Sequence, residues 1–185
     1  MTLHDLTLPI SRDDLLSPAG QDKLRLNGHF GTHFDVMDKS FPIEYAEREA
    51  VIFDVPAVTD RDIDESDIDL SLIEKGMFVG FATGFIEQTG YGSEQYRHEH
   101  PKISVSLMEK LVKRGVALIG LDFAGARRHG EHAKMDQFCA DHGTFIIENL
   151  CNLKKVAGKK GTVYVFPLNC RGLSGLPCRV IMKTE

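Results

Sequence analysis

Apolar residues along this chain fall into short runs separated by polar, charged or glycine-bearing stretches, the pattern of strands with helices between them. Residues 3–10 alternate enough to form a short strand ending at Pro9, and Ser11-Arg12-Asp13-Asp14 reads as a turn or a helix start. Residues 50–58, A-V-I-F-D-V-P-A-V, are a strongly apolar β-type run broken by Pro56. Residues 77–85 and 116–123 read as buried strands, and 144–150 as a strand buried apart from Glu148. Residues 161–168 and 178–182 supply two more, joined by N-C-R-G-L-S-G-L-P. Two helices stand between the strands. Residues 103–115 put Leu107, Leu111 and Val112 on one face, with Lys and Glu opposite and Gly115 as a stop. Residues 132–142 carry Met135, Phe138 and Cys139 at helical spacing and end before Gly143. With no internal repeat, the pattern predicts one α/β domain over residues 1–185, a mixed sheet flanked by helices.

Composition narrows the function more than the fold. A chain of 185 residues with 42% hydrophobic content can bury a sizeable core, and its net charge of -5 is mild and mixed in sign. No basic stripe or aromatic platform recommends nucleic acid as a partner. Cys139, Cys151, Cys170 and Cys178 are widely spaced with no C-x-x-C pair, which argues against a zinc ribbon or redox motif and fits a reducing, cytoplasmic home. No run reaches the roughly 18 apolar residues of a membrane helix, and the start lacks a basic region before an apolar one, so an unprocessed soluble protein is expected.

Two stretches invite other chemistry. The Asp-rich residues 59–70 lack the central Gly and closing Glu of an EF-hand loop, and predict instead a solvated turn in which Ser66 or Asp67 caps a short helix ending near Lys75-Gly76. The loop T-G-Y-G-S at residues 89–93 has neither glycine signature of a phosphate cradle.

The densest polar chemistry lies in residues 27–42, N-G-H-F-G-T-H-F-D-V-M-D-K-S-F-P. His29, His33 and Asp35 are of the ligand types that take Zn²⁺ or Mn²⁺, their spacing of four and then two can converge on one ion, and Gly31 allows a tight turn. The alternative is a polar loop whose histidines face water. Glu148 follows three core residues, and a buried carboxylate needs a cation, either an Arg or Lys or a shared metal. His98, His100, His129 and His132 read as surface histidines, although a helix would bring His132 to the face of Asp136.

Taken in order, H-F-G-T-H-F-D, H-P-K-I-S, G-V-A-L-I-G-L-D, I-I-E-N-L-C-N-L and F-P-L-N-C-R-G-L-S-G-L-P-C-R-V resemble the cyclase-type metal-dependent hydrolase family, which includes kynurenine formamidase and isatin hydrolase. The resemblance implies a swivelling β/β/α domain, a homodimer or homotetramer, and metal ligands at His29, His33, Asp35 and Glu148. It also exposes departures. Where the family pattern His-x-Gly-Thr-His-x-Asp-x-Pro-x-His ends in Pro and an acid–base His, this chain has Met37 and Lys39. Twelve residues before the glutamate, a family His for the second ion is replaced by Asp136. Asp136 can ligate through oxygen, or Lys39 and Asp136 can pair where the second ion would sit. The second version is preferred, which makes one divalent ion, Zn²⁺ or Mn²⁺, the expectation.

The function this implies is hydrolysis of the C–N bond of a small formamide, amide or lactam by metal-activated water, with Lys39 or Asp136 handling the proton. The lack of tryptophan removes the aromatic wall that kynurenine formamidases place over their substrate. The alternative is a family member that has lost catalysis and binds a small ligand or a metal.

Overall fold

Among the described residues eight strands carry the structure: β1 (Thr2–Asp5), β2 (His33–Asp35), β3 (Glu47–Asp54), β4 (Phe78–Ala82), β5 (Leu118–Leu121), β6 (Phe145–Glu148), β7 (Gly161–Pro167) and β8 (Gly175–Thr184). The computed structural model describes residues 1–17, 22 and 26–185. The sheet runs β1-β8-β2-β6-β5-β4-β3-β7, and β7 pairs again with β8, so the ladder closes on itself as a barrel. Pairings β3–β4, β4–β5 and β5–β6 are parallel. Those made by β1, β2, β7 and β8 are antiparallel. This is the expected mixed sheet flanked by helices.

Strand alternation sorts the side chains into two cores. Phe34, Ile52, Phe78, Leu118, Phe145 and Ile147 point into the barrel together with Val163, Val180 and Met182. Their neighbours Phe53, Val79, Phe81, Ile119, Leu121 and Ile146 point outward under the helices. The barrel is narrow where β4 and β5 meet: a Cβ on Gly120 would lie 2.2 Å from Phe78 Cζ, and one on Gly80 2.5 Å from Ile52 Cδ1. Both positions are glycine because the aromatic ring and the isoleucine already fill that space.

Among the described residues the α-helical elements are α1 (Arg12–Leu16), α2 (Phe85–Thr89), α3 (Glu94–His98), α4 (Val105–Lys113) and α5 (His132–Asp141). In α4 Leu107 and Leu111 are buried as the spacing predicts, Met108 is buried beside them while Val112 is only partly so, and Ser104 caps its start. The Asp-rich stretch differs from expectation. It forms two 3₁₀ turns, Glu65–Asp67 and Leu70–Leu72, capped by Asp64 and Asp69 in place of Ser66 or Asp67. Each aspartate takes the backbone N–H and the hydroxyl of a serine two residues on, a local geometry that a short carboxylate satisfies better than a hydroxyl. Among the described residues no helix is long and apolar enough to cross a membrane.

Candidate metal centre

Antiparallel pairing sets His33 of β2 opposite Glu148 of β6, and Asp35 opposite Ile146. Because Phe34 and Ile147 fill the barrel, alternation turns His33, Asp35 and Glu148 to the outer face, at the carboxyl end of the parallel strands. All three are at most 3% exposed, which makes their mutual arrangement an electrostatic matter rather than a solvated one.

His29 arrives from the loop before β2. Gly28, at φ +78°, packs so tightly that a Cβ would sit 1.9 Å from the Gly175 carbonyl oxygen, and the His29 ring lies against Gly175, where a Cβ would be 2.8 Å from its Cδ2. Two glycines thus let the imidazole reach the strand ends.

The hydrogen bonds of the two imidazoles set which ring nitrogen faces Asp35. His29 Nε2 shares a hydrogen bond with Ser174 Oγ at 2.9 Å, and its Nδ1 lies 3.1 Å from Asp35 Oδ1. His33 Nδ1 donates to the Gly31 carbonyl at 2.9 Å, leaving Nε2 3.3 Å from the same Asp35 oxygen and 3.2 Å from His29 Nδ1. Neither ring aligns an N–H with Asp35, so both oxygens of this buried carboxylate lack a hydrogen-bond donor. Burial would by itself raise the Asp35 pKa, but the charges of His33 and His29 hold it well below the usual carboxylate range. Burial likewise disfavours protonated His33, yet Asp35 and then Glu148 override it and push the imidazole up to about 9.

A second group adjoins the first through Glu148. Its Oε2 lies 3.5 Å from His33 Nε2, while its Oε1 lies 2.8 Å from His132 Nε2. His132 opens α5, and its Nε2 is also 3.2 Å from Asp136 Oδ2 one turn on. Burial, and after it the charges of Asp35 and Glu148, raise the Asp136 carboxyl well above its ordinary range, and its Oδ1 has no donor. His132 is pushed up to about 10, since Glu148 and Asp136 outweigh a burial that works the other way.

These donors fit a divalent cation. The ligand atoms of His29, His33 and Asp35 lie within 4.8 Å of one another, and so do those of His132, Asp136 and Glu148. Imidazole with carboxylate suits Zn²⁺ or Mn²⁺, and a cation is what buried carboxylate oxygens without donors require.

The structure brings together His29, His33, Asp35, Asp136 and Glu148 as the sequence suggests, and corrects three expectations. The Lys39–Asp136 pair does not form. Met37, at φ +55°, turns the chain away after β2, and Lys39 Nζ meets Asp141 Oδ1 at 2.7 Å and Asp38 Oδ1 at 2.9 Å on the surface. Asp141 is five residues beyond Asp136, about 140° around the helix, so one lysine cannot serve both faces. Its hydrogen bonds with Asp141 and Asp38 raise the Lys39 pKa, the opposite of what a proton acceptor needs. His132 is half-buried in the donor cluster rather than a surface histidine, and His100 is 2% exposed, stacked on Phe123 with ring centroids 6.0 Å apart. The signal for His132 was its spacing of four from Asp136, which became decisive only once β6 delivered Glu148 beside them.

The family model described as "Cyclase: Putative cyclase" matches residues 4–126. A comparison with curated proteins finds no match. Among solved structures, isatin hydrolase A from Labrenzia aggregata bound to benzyl benzoate is 18% identical at a TM-score of 0.76, over 100% of this chain and 94% of that one. Isatin hydrolase A from Ralstonia solanacearum is 19% identical with the same TM-score of 0.76, over 100% and 92%. A predicted metal-dependent hydrolase from Bacillus stearothermophilus is 21% identical at a TM-score of 0.70, over 98% and 97%. At these identities the likeness is one of fold.

Proposed function

Because the chain belongs to the Cyclase family, matched over residues 4–126, we propose that it is a metal-dependent hydrolase cleaving the C–N bond of a small formamide, amide or lactam. One observation carries the reading: two sets of three donors meet at Glu148, and carboxylate oxygens in both sets are buried without a hydrogen-bond donor. His29, His33 and Asp35 would hold one ion, Zn²⁺ or Mn²⁺, and His132, Asp136 and Glu148 a second. This reading takes two ions where the sequence favoured one, since the Lys39–Asp136 pair on which that preference rested is absent and two donor groups are present. When bound, such ions polarise a carbonyl oxygen and lower the pKa of coordinated water.

The residues themselves supply orientation and exclusion of bulk solvent. Ser174 and the Gly31 carbonyl hold the two imidazoles with their remaining nitrogens beside Asp35 Oδ1. The isatin hydrolases among the similar structures act on a cyclic amide, which supports the lactam end of the substrate range. Lys39 favours a second reading, a family member that binds a metal or small ligand without turnover, since the position of an acid–base histidine in the family pattern is held by an ammonium paired with Asp141 and Asp38.

Metal analysis of purified protein, followed by a screen of formanilides, lactams and lactones with added Zn²⁺ or Mn²⁺, tests both. The hydrolase reading expects bound metal and metal-dependent turnover of at least one amide class. Bound metal without turnover supports the second reading, and protein that retains no ion after reconstitution overturns the hydrolase reading and the metal-binding form of the second. His33→Ala is expected to abolish retention of the ion held with His29 and Asp35.

A further inference from the structure

The residue after Glu148 adopts a conformation that few side chains accept. Asn149 has φ +58°, in the left-handed region that Asn tolerates better than most non-glycine residues. It is 4% exposed, and both ends of its amide are committed. Asn149 Nδ2 donates to the Gly31 carbonyl at 2.8 Å, the same oxygen that accepts the His33 Nδ1–H. Asn149 Oδ1 accepts from the Tyr96 hydroxyl at 2.6 Å. Because Gly31 O can only accept, the amide has a single orientation. Its backbone carbonyl takes the Thr32 hydroxyl at 2.7 Å, so the residue following one candidate ligand is bonded to the two residues preceding another. Tyr96 is itself fixed, 1% exposed and stacked on Phe85 with ring centroids 6.0 Å apart.

We propose that Asn149, anchored by Tyr96, is a positioning residue for the metal centre: it holds the Gly31 carbonyl where His33 Nδ1 must donate to it, and so keeps Nε2 beside Asp35 and turned to the ion. The inference rests on the metal-centre reading above. A structural role alone would ask only for a residue that accepts the left-handed turn, and glycine does that at lower cost. An amide with a donor at one end and an acceptor at the other is needed only if the Gly31 carbonyl and Tyr96 must be joined.

Glycine therefore makes the test, since Asn149→Gly keeps the turn and deletes the amide. Zn²⁺ dissociation constants are measured by chelator competition for wild type, Asn149→Gly and Tyr96→Phe, with melting temperatures of the metal-free proteins and visible spectra of the Co²⁺ forms. Asn149→Gly is expected to bind Zn²⁺ roughly 10- to 100-fold more weakly, the usual cost of losing a partner that orients a ligating histidine, with an altered Co²⁺ spectrum. Tyr96→Phe is expected to shift affinity in the same direction by less. A folded Asn149→Gly with wild-type affinity and spectrum overturns the proposal. Should that variant not fold, wild-type affinity in Tyr96→Phe overturns it instead. Wild-type protein that binds no Zn²⁺ would overturn the metal-centre reading itself, a result distinct from equal binding by wild type and variant.

Discussion

His33 and Glu148 face each other across two antiparallel strands, with His33 Nε2 3.5 Å from Glu148 Oε2. Register alone produces this contact. A slip of one residue between β2 and β6 would send Glu148 into a barrel already filled by Phe34, Phe78 and Phe145. The same pairing joins the two donor sets, because the other Glu148 oxygen reaches His132.

That bridge makes stoichiometry a direct test. His132→Ala removes one of three donors on the helix side and leaves His29, His33 and Asp35 in place. Metal analysis by mass spectrometry is expected to fall from two ions per chain toward one. Equal ratios in wild type and variant would exclude a second ion held by His132.

Lys39 provides the converse test. It bonds Asp141 and Asp38 on the surface, and its side chain is 35% exposed. Lys39→Ala is expected to leave the metal-to-protein ratio unchanged, with only a small change in melting temperature. Loss of metal from this variant would restore a link between Lys39 and the donors that the geometry does not provide.

Gly120 tests the barrel that holds the site in register. A methyl group there would meet Phe78 Cζ at 2.2 Å and Leu150 Cδ1 at 2.8 Å. Gly120→Ala is expected to destabilise by about 1–3 kcal/mol in denaturant unfolding, the usual cost of overpacking. Adding Phe78→Leu should recover part of that loss, and a double variant no more stable than the additive sum would show that the ring is not the obstacle.

His100 predicts an acid sensitivity away from the metal donors. Burial, with a smaller contribution from the charge of Arg128, lowers its pKa from 6.5 to about 4, while the bond from Nδ1 to the Pro101 carbonyl works in the other direction. The unfolded chain takes up a proton near pH 6.5 and the folded one does not until about 4, so the contribution of His100 is complete above pH 6.5 and is lost as pH falls toward 4. His100→Phe keeps the stack on Phe123 and removes the titration. Between pH 6.5 and 4 the stability of wild type relative to this variant is expected to fall by roughly 3 kcal/mol. A pH-independent difference would contradict it.

Most strands were legible because their cause is local, but β2, three residues long, was not. Apolar runs mark 161–168 and 144–150, and the observed Gly161–Pro167 and Phe145–Glu148 fall within them. Amphipathic spacing likewise marks α4 and α5. Phe85–Thr89 and Glu94–His98 were not legible, because five residues hold too little of a helical period to show a stripe.

His29, His33 and Asp35 were nominated by spacing within seven residues, and Glu148 by a carboxylate in an apolar strand, properties the chain carries before it folds. What joined them was the pairing of β2 with β6 across more than a hundred residues, and hydrophobic periodicity contains no information on which strand will be the neighbour. The same limit governed Lys39 and His132. Charge complementarity matched Lys39 with Asp136 on paper, but a left-handed turn at Met37 and the far face of α5 gave it Asp141, while His132 found Glu148. Residue type decides which partners are chemically acceptable, and only the packed backbone decides which of them lie within about 3 Å.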